Sequence, residues 1–488
     1  MGKELNEGAR RFGLITICFY LKLTEMKPRF NFLFLKKLAA AVIIVSTISS
    51  CKREIDRQAT PSDLSTTAAD HLQGHLQQAK TFSAEVAQKW QDLQLRILRT
   101  PTTVNPFGRN GHRYFAYCGV ALYESVVAGM PSYQSLHGQL TDMPNMPTVD
   151  PGKAYHWAAS ANAALAYMNE HFFTLANTSA INIASMDSLQ NALSSEYQSQ
   201  VDAATFQRSQ DFGRTVGELI FDWSSTDGSN HANDPYTPNG GVGSWTNTAP
   251  NPVAIAEPYW GNNRQFVQGS DIGTASPLPP AYSTDPSSAY YAMVKEVYDV
   301  SQTLTPEQMA TALYFRDSPG FPQATNYIST FSQVMHIENP QLDFYALAHV
   351  KTGIAFAEAM INCWKVKYTV LQDRPTRYIR NVLGHTAWNP LIAMPPHPEF
   401  PSAHSQMAGA VSAVLTSIFG DDYHFTLHTY DYLGMAPRSY NSFDDMAVDV
   451  GRARVYAGLH YTYSCVEGRN QGERIAKNVL NILKFKKE

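Results

Sequence analysis

Glu399-Phe400-Pro401-Ser402-Ala403-His404-Ser405 is the stretch from which the rest of this 488-residue chain is read. Pro401-Ser402 ahead of a run of helix formers marks Ser402 as a helix N-cap, and the freed amides and dipole of a first helical turn favour an anion. From His404 the positions Met407, Val411, Val414 and Ile418 recur at spacings of three and four, so the helix buries one face and His404 lies on it. A lone histidine there is either a hydrogen-bonded core residue or a proton carrier beside an anion. Cations elsewhere in the last third of the chain favour the second.

The first two cations come upstream. Leu347, Val350, Ile354, Ala357, Ile361 and Trp364 form another stripe at alternating spacings of three and four, and Lys367 falls three residues after it. Arg374 stands before Pro375, which disfavours helix at its predecessor, so both cations sit at a helix exit. Taken alone they read as a solvated face, with Arg377 and Arg380 as further surplus. The third cation lies downstream, where Met446, Val450, Arg454 and Ala457 share a helical face and put a guanidinium at an apolar position. A buried cation needs an anionic partner. That partner is either Asp444, Asp445 or Asp449, or a ligand. Gly458 ends this helix, which frees His460 to turn back toward Arg454.

Elsewhere, helical spacing is expected over residues 79–99, 109–127, 154–173, 185–225 and 286–301, and from Thr305, where Thr305-Pro306-Glu307-Gln308 has the form of a capping box. Strand alternation is nearly absent, so the fold class is all-α. Residues 226–286 form a long Gly-, Asn- and Pro-rich excursion carrying Trp245 and Trp260, expected as a packed loop and a lid over a cleft. The domain plan is an N-terminal extension and leader (1–50), a flexible tether (51–80) and one helical domain (81–488). That domain divides into helices at 81–225, the loop at 226–286 and the site-bearing helices at 287–488.

Lys27, Arg29, Lys36 and Lys37 precede an apolar run from Leu38 to Ile48, then Ser49-Ser50-Cys51, the form of an export signal. Ile48-Ser49-Ser50-Cys51 resembles a bacterial lipobox. It implies acylation of Cys51 and attachment to a membrane through lipid, on the exported side of the cell envelope. The run itself is short for a bilayer span. Residues 1–50 hold eight Lys/Arg and three Asp/Glu, leaving 30 against 39 in the body; that acidic balance argues against nucleic acid as partner. Cys118, Cys363 and Cys465 form no CxxC pattern and read as buried thiols, and no HExxH motif is present.

Lys367-x6-Arg374-Pro375, then Pro401-Ser402-Ala403-His404, then Arg454-x5-His460 resembles the three-part signature of the vanadium-dependent haloperoxidase and type 2 phosphatidic acid phosphatase superfamily. Trp364, Pro395-Pro396-His397-Pro398, Leu304-Thr305-Pro306-Glu307-Gln308 and Asp317-Ser318-Pro319-Gly320 are similar to bacterial haloperoxidase-type sequences, and extend the resemblance over roughly residues 85–485. It implies an all-helical fold with a four-helix bundle around a vanadate cofactor. His460 is then the vanadium ligand. Lys367, Arg374, Arg454, Ser402 and the Ala403 amide hold the oxyanion, His404 is the acid–base group, and Lys367 also polarises peroxide. His397 and Trp364 become halide-site candidates, with bromide or iodide favoured. Hydrogen peroxide, halide and a small organic acceptor are the implied partners, and hypohalous acid the product.

Three positions depart from the family pattern. Ala403 replaces the usual Gly, Ala453 a frequent Ser, and Ser464 an Asp four residues after the second histidine. The last leaves no carboxylate expected behind His460, which counts against the alternative of a phosphatase with a phosphohistidine at His460. A third reading is a lipoprotein that binds an oxyanion without turnover.

Overall fold

The computed structural model describes residues 77–99, 107–247, 254–316 and 323–488, all within one compact unit, Ser65–Glu488. The leader, Cys51, the tether up to residue 76 and Asp317-Ser318-Pro319-Gly320 lie outside the described residues.

Each stretch of three-and-four spacing becomes a helix. The N-terminal half contains α1 (Glu85–Arg99), α2 (Phe107–Val126), α3 (Trp157–Phe172), α4 (Ala180–Gln198) and α5 (Ala203–Ser225). Polar side chains set the starts: Ser179 accepts from the Asn182 amide and Asp202 from the Thr205 amide. The expected helix from residue 79 begins later. Residues Ala79–Thr81 make only a 3-10 turn, Ser83 bridges to Gln341, and its hydroxyl accepts from the Glu85 amide at 3.1 Å.

The C-terminal half contains α6 (Ala289–Gln302), α7 (Pro306–Tyr314), α8 (Gln323–Glu338), α9 (Leu342–Val370), α10 (Pro375–Asn381), α11 (Ala403–Phe419), α12 (Phe443–Tyr456) and α13 (Thr462–Ile482). Both arms of the capping box between Thr305 and Gln308 are made at α7. One short antiparallel ribbon, β1 (Phe425–Leu427) with β2 (Arg438–Tyr440), joins α11 to α12 and sets Thr426 opposite Ser439.

Four helices, α9, α11, α12 and α13, pack together and position the site. α11 and α13 approach each other closely, and glycine permits it. A Cβ at Gly472 would meet the Gln406 carbonyl oxygen at 1.9 Å, and one at Gly468 the Ser402 oxygen at 2.7 Å. α9 runs through both halves, about 43 Å at 1.5 Å per residue. Near its start His349 and Gly353 lie against α2, and at its end Lys367 reaches the site. It terminates at Leu371 in the left-handed region, φ 53, a conformation that costs a branched residue of order 1–3 kcal/mol.

The 226–286 excursion differs from the expected lid: its described residues are a strap pinned along α9. The buried Glu358 carboxylate accepts from the Val267 amide at 2.8 Å and from the Ser270 hydroxyl at 2.8 Å. Trp245 donates its amide to the Leu371 carbonyl, and the Ala256 carbonyl accepts from Trp364 and Tyr368. Trp245 and Trp260 are both buried. Among the described residues, no helix is long and apolar enough to cross a membrane.

Candidate functional site

Lys367 occupies the last turn of α9 and is fully buried. Its ammonium donates to the carbonyls of Pro398 at 2.9 Å, Glu399 at 2.8 Å and Pro401 at 2.5 Å, stapling the approach to α11 onto the end of α9. Burial, reinforced by Arg374, pushes this group down to about 7. Three carbonyl bonds require three N–H groups, so the contacts select the charged form.

Arg374, the N-cap residue of α10, is equally enclosed, and burial pushes it down to about 10. Its Nη1 donates to the Leu459 carbonyl at 2.8 Å and to His460 Nε2 at 3.1 Å; its Nη2 reaches His397 Nδ1 at 3.1 Å. The His397 ring stands 5.1 Å from that of Trp364, whose own ring centroid is 5.9 Å from the Lys367 ammonium. Arg454, buried in the last turn of α12, donates to the Phe315 carbonyl at 2.7 Å. Two of the aspartates considered for it are engaged elsewhere, Asp444 with Arg469 and Asp449 with Arg438.

Gly458 ends α12 with φ 75, and the chain turns back so that His460 enters the same enclosure. Burial holds its imidazole well below the usual range, and Arg374, Lys367, Arg454 and His397 push the same way. Ser402 caps α11, accepting from the Ser405 hydroxyl at 3.0 Å and amide at 3.4 Å. His404 is the second residue of α11, 5% exposed, with its carbonyl accepting from the Tyr327 hydroxyl at 2.8 Å. The Ala403 methyl belongs to the main hydrophobic core.

Two sequence expectations need correction. A carboxylate does stand behind His460. Glu399, wholly buried, places Oε1 2.8 Å from His460 Nδ1 and accepts there from the Tyr461 amide at 3.1 Å. Burial pushes Glu399 up to about 7, opposed first by Arg374 and then by Lys367, the Tyr461 amide and the Ser464 hydroxyl. The signal was present three residues before Ser402, but a glutamate in a proline-rich loop has no periodicity to say which way it faces. Second, Arg377 and Arg380 are not solvated surplus. Arg377 pairs with Asp373 at 2.6 Å and donates to the Ser244 carbonyl, and Arg380 donates to the Trp388 carbonyl and to Asn389. The three remaining cysteines are free and buried, as expected.

Compared with curated protein sequences, the chain gives no significant match. A family profile described as the VCPO second helical-bundle domain matches residues 348–486, the segment that carries every signature residue. The fold superposes on a crystal structure described as the first bacterial vanadium-dependent iodoperoxidase, with TM-score 0.73 and 28% identity over 83% of this chain and 98% of that one. Profile and fold both liken the chain to the vanadium-dependent haloperoxidases. Holo-type and apo-type structures of a bacterial vanadium-dependent chloroperoxidase share the fold at TM-score 0.59 and 14% identity. They cover 78% of this chain, and 93% and 96% of their own.

The residues of the enclosure fit a tetrahedral oxyanion such as vanadate. Lys367, Arg374 and Arg454 bring three positive charges to an enclosure in which Glu399 contributes a carboxylate, leaving a positive excess for an anion to neutralise. Among the described residues no group of three or more His, Cys, Asp or Glu is placed to hold a metal cation.

Proposed function

We propose that this chain is a vanadate-dependent haloperoxidase that uses hydrogen peroxide to oxidise halide to hypohalous acid. The observation that carries this reading is the meeting of Arg374 with His460 Nε2 and of Lys367 with the Glu399 carbonyl beside the N-terminus of α11, Glu399 in turn holding His460 Nδ1. Vanadate, when bound, supplies a Lewis-acid centre for the activation of peroxide. The chain's own residues do the rest. His460 would offer Nε2, while Arg374 and Arg454, with Ser402 and the Ala403 amide at the helix start, would hold the anion's oxygens, and Lys367, bonded to the loop carbonyls, would add its positive charge. His404, in the first turn of α11, would carry the proton. The test is oxidation of iodide and bromide by vanadate-loaded protein with peroxide. A rate no higher than that of free vanadate would remove the proposal.

His397 and Trp364 are assigned to the halide side, supported by the bond from Arg374 that fixes His397 against the Trp364 ring. Bromide or iodide is the favoured halide, to be judged from kcat/KM for iodide, bromide and chloride.

A second reading, a phosphatase with His460 as nucleophile, gains support from Glu399, which supplies the orienting carboxylate that Ser464 lacks. Hydrolysis of a phosphate ester that vanadate inhibits and peroxide does not affect would favour it. For location, the sequence before Cys51 supports export and a lipid anchor at that cysteine.

A further inference from the structure

We propose that Glu399 is the positioning residue for His460: it fixes the imidazole as the Nδ1–H tautomer and leaves Nε2 as a lone pair aimed into the oxyanion enclosure. This rests on the reading that His460 receives an oxyanion there.

The two edges of the ring agree. On one side Arg374 Nη1 lies 3.1 Å from Nε2, and a guanidinium has only donors, so Nε2 accepts. On the other, Glu399 Oε1 lies 2.8 Å from Nδ1 and also takes the Tyr461 amide at 3.1 Å. That amide has nothing but a proton to offer, so Oε1 accepts there, and with Nε2 already an acceptor a neutral ring carries its proton on Nδ1, facing Oε1.

Glu399 itself is held from three directions. Its amide donates to the Gln372 carbonyl at 3.0 Å, its carbonyl accepts from Lys367, and its side chain is fully enclosed. A carboxylate so fixed sets ring orientation as well as tautomer, the service that a histidine ligand draws from its outer partner. It arrives here from the loop before α11, whereas the family pattern places an Asp at the position of Ser464.

The experiment has two independent readouts on the full chain. In histidine-labelled, vanadate-free protein, the His460 nitrogens are identified by their loss in His460→Ala. The expected 15N spectrum has Nδ1 protonated and Nε2 bare; a proton on Nε2 overturns the assignment without any variant. Calorimetry with orthovanadate then measures affinity. Glu399→Ala is expected to weaken binding by roughly 10- to 100-fold, and Ser464→Asp in that background to restore most of it, a rescue that loss of packing alone would not show. Unchanged affinity in Glu399→Ala, or no recovery in the double variant, sinks the positioning role. Should Glu399→Ala fail to fold, Glu399→Gln, which keeps the shape and an acceptor oxygen, is compared by its His460 spectrum; a Nε2–H tautomer that leaves affinity intact counts against the role. Wild-type protein that binds no orthovanadate sinks the oxyanion reading, and the spectrum still decides the tautomer.

Discussion

At His404 the proposed proton transfer can be separated from anion binding. This residue lies on the buried face of α11, two residues past the Ser402 cap, while Lys367 is seated by the carbonyls of residues 398, 399 and 401 and Arg374 by the Leu459 carbonyl, His397 and His460. His404→Ala is expected to lower halide oxidation by about 10²- to 10⁴-fold while orthovanadate affinity measured by calorimetry changes little. A parallel fall in affinity would mean that the ring holds the anion instead. Most of this site was legible one residue at a time, because a cap, a cation on an apolar stripe and a glycine that ends a helix each leave a local mark. Glu399 and Arg377 left none. Their roles come from Tyr461, His460 and Asp373, brought together only when the helices pack.

At the scale of elements, the α11–α13 contact is a tight one, and Gly472 is its hinge of closeness. Gly472→Ala would drive a methyl into the Gln406 carbonyl, backbone against backbone, and overpacking of this kind costs about 1–3 kcal/mol or more. The urea midpoint should fall accordingly, and anion affinity with it, since Gly468 and Ser402 share the interface. The strap on α9 gives a second prediction, through Glu358. Burial raises its carboxyl from the usual 4.5 to about 7. Below the unfolded value both states carry the proton and the contribution is complete; between 4.5 and 7 the unfolded chain releases it while the native chain keeps it. Stability contributed by Glu358 is thus lost as pH rises through that window, with a slope of up to about 1.4 kcal/mol per pH unit. Glu358→Gln should flatten the difference in Tm between pH 5 and 7.5, and an unaltered difference would count against it. Helices were readable because their periodicity repeats over many turns, whereas β1 and β2, three residues each, are too short to show alternation. The strap was visible as a loop, but nothing in its glycines told that Glu358, some ninety residues later, would bind it.

For the whole molecule, α9 ties the two helical groups through one rod, from the His349 contact with the Phe115 carbonyl to Lys367 in the site. The described body should therefore melt in a single calorimetric transition, with vanadate raising Tm for the entire unit; two separable transitions would show that α9 does not couple the groups. The membrane proposal is tested apart from the fold. Cys51→Ser should move the protein from the membrane fraction to the soluble one with its specific activity intact, and retention at the membrane would remove the anchor. The all-α class followed from spacing alone, but which helices meet did not, because the glycines that let α11 and α13 touch are silent about their partners.

Lys367 carries a consequence for chemical labelling. Wholly buried under three carbonyls, its amine is out of reach of an acylating reagent or an aldehyde, while Lys365, two residues earlier, has its side chain 61% exposed. Peptide mapping after amine modification should find Lys365 tagged and Lys367 untouched for as long as the native chain stays intact, so the pair doubles as a built-in reporter of whether the end of α9 has come apart.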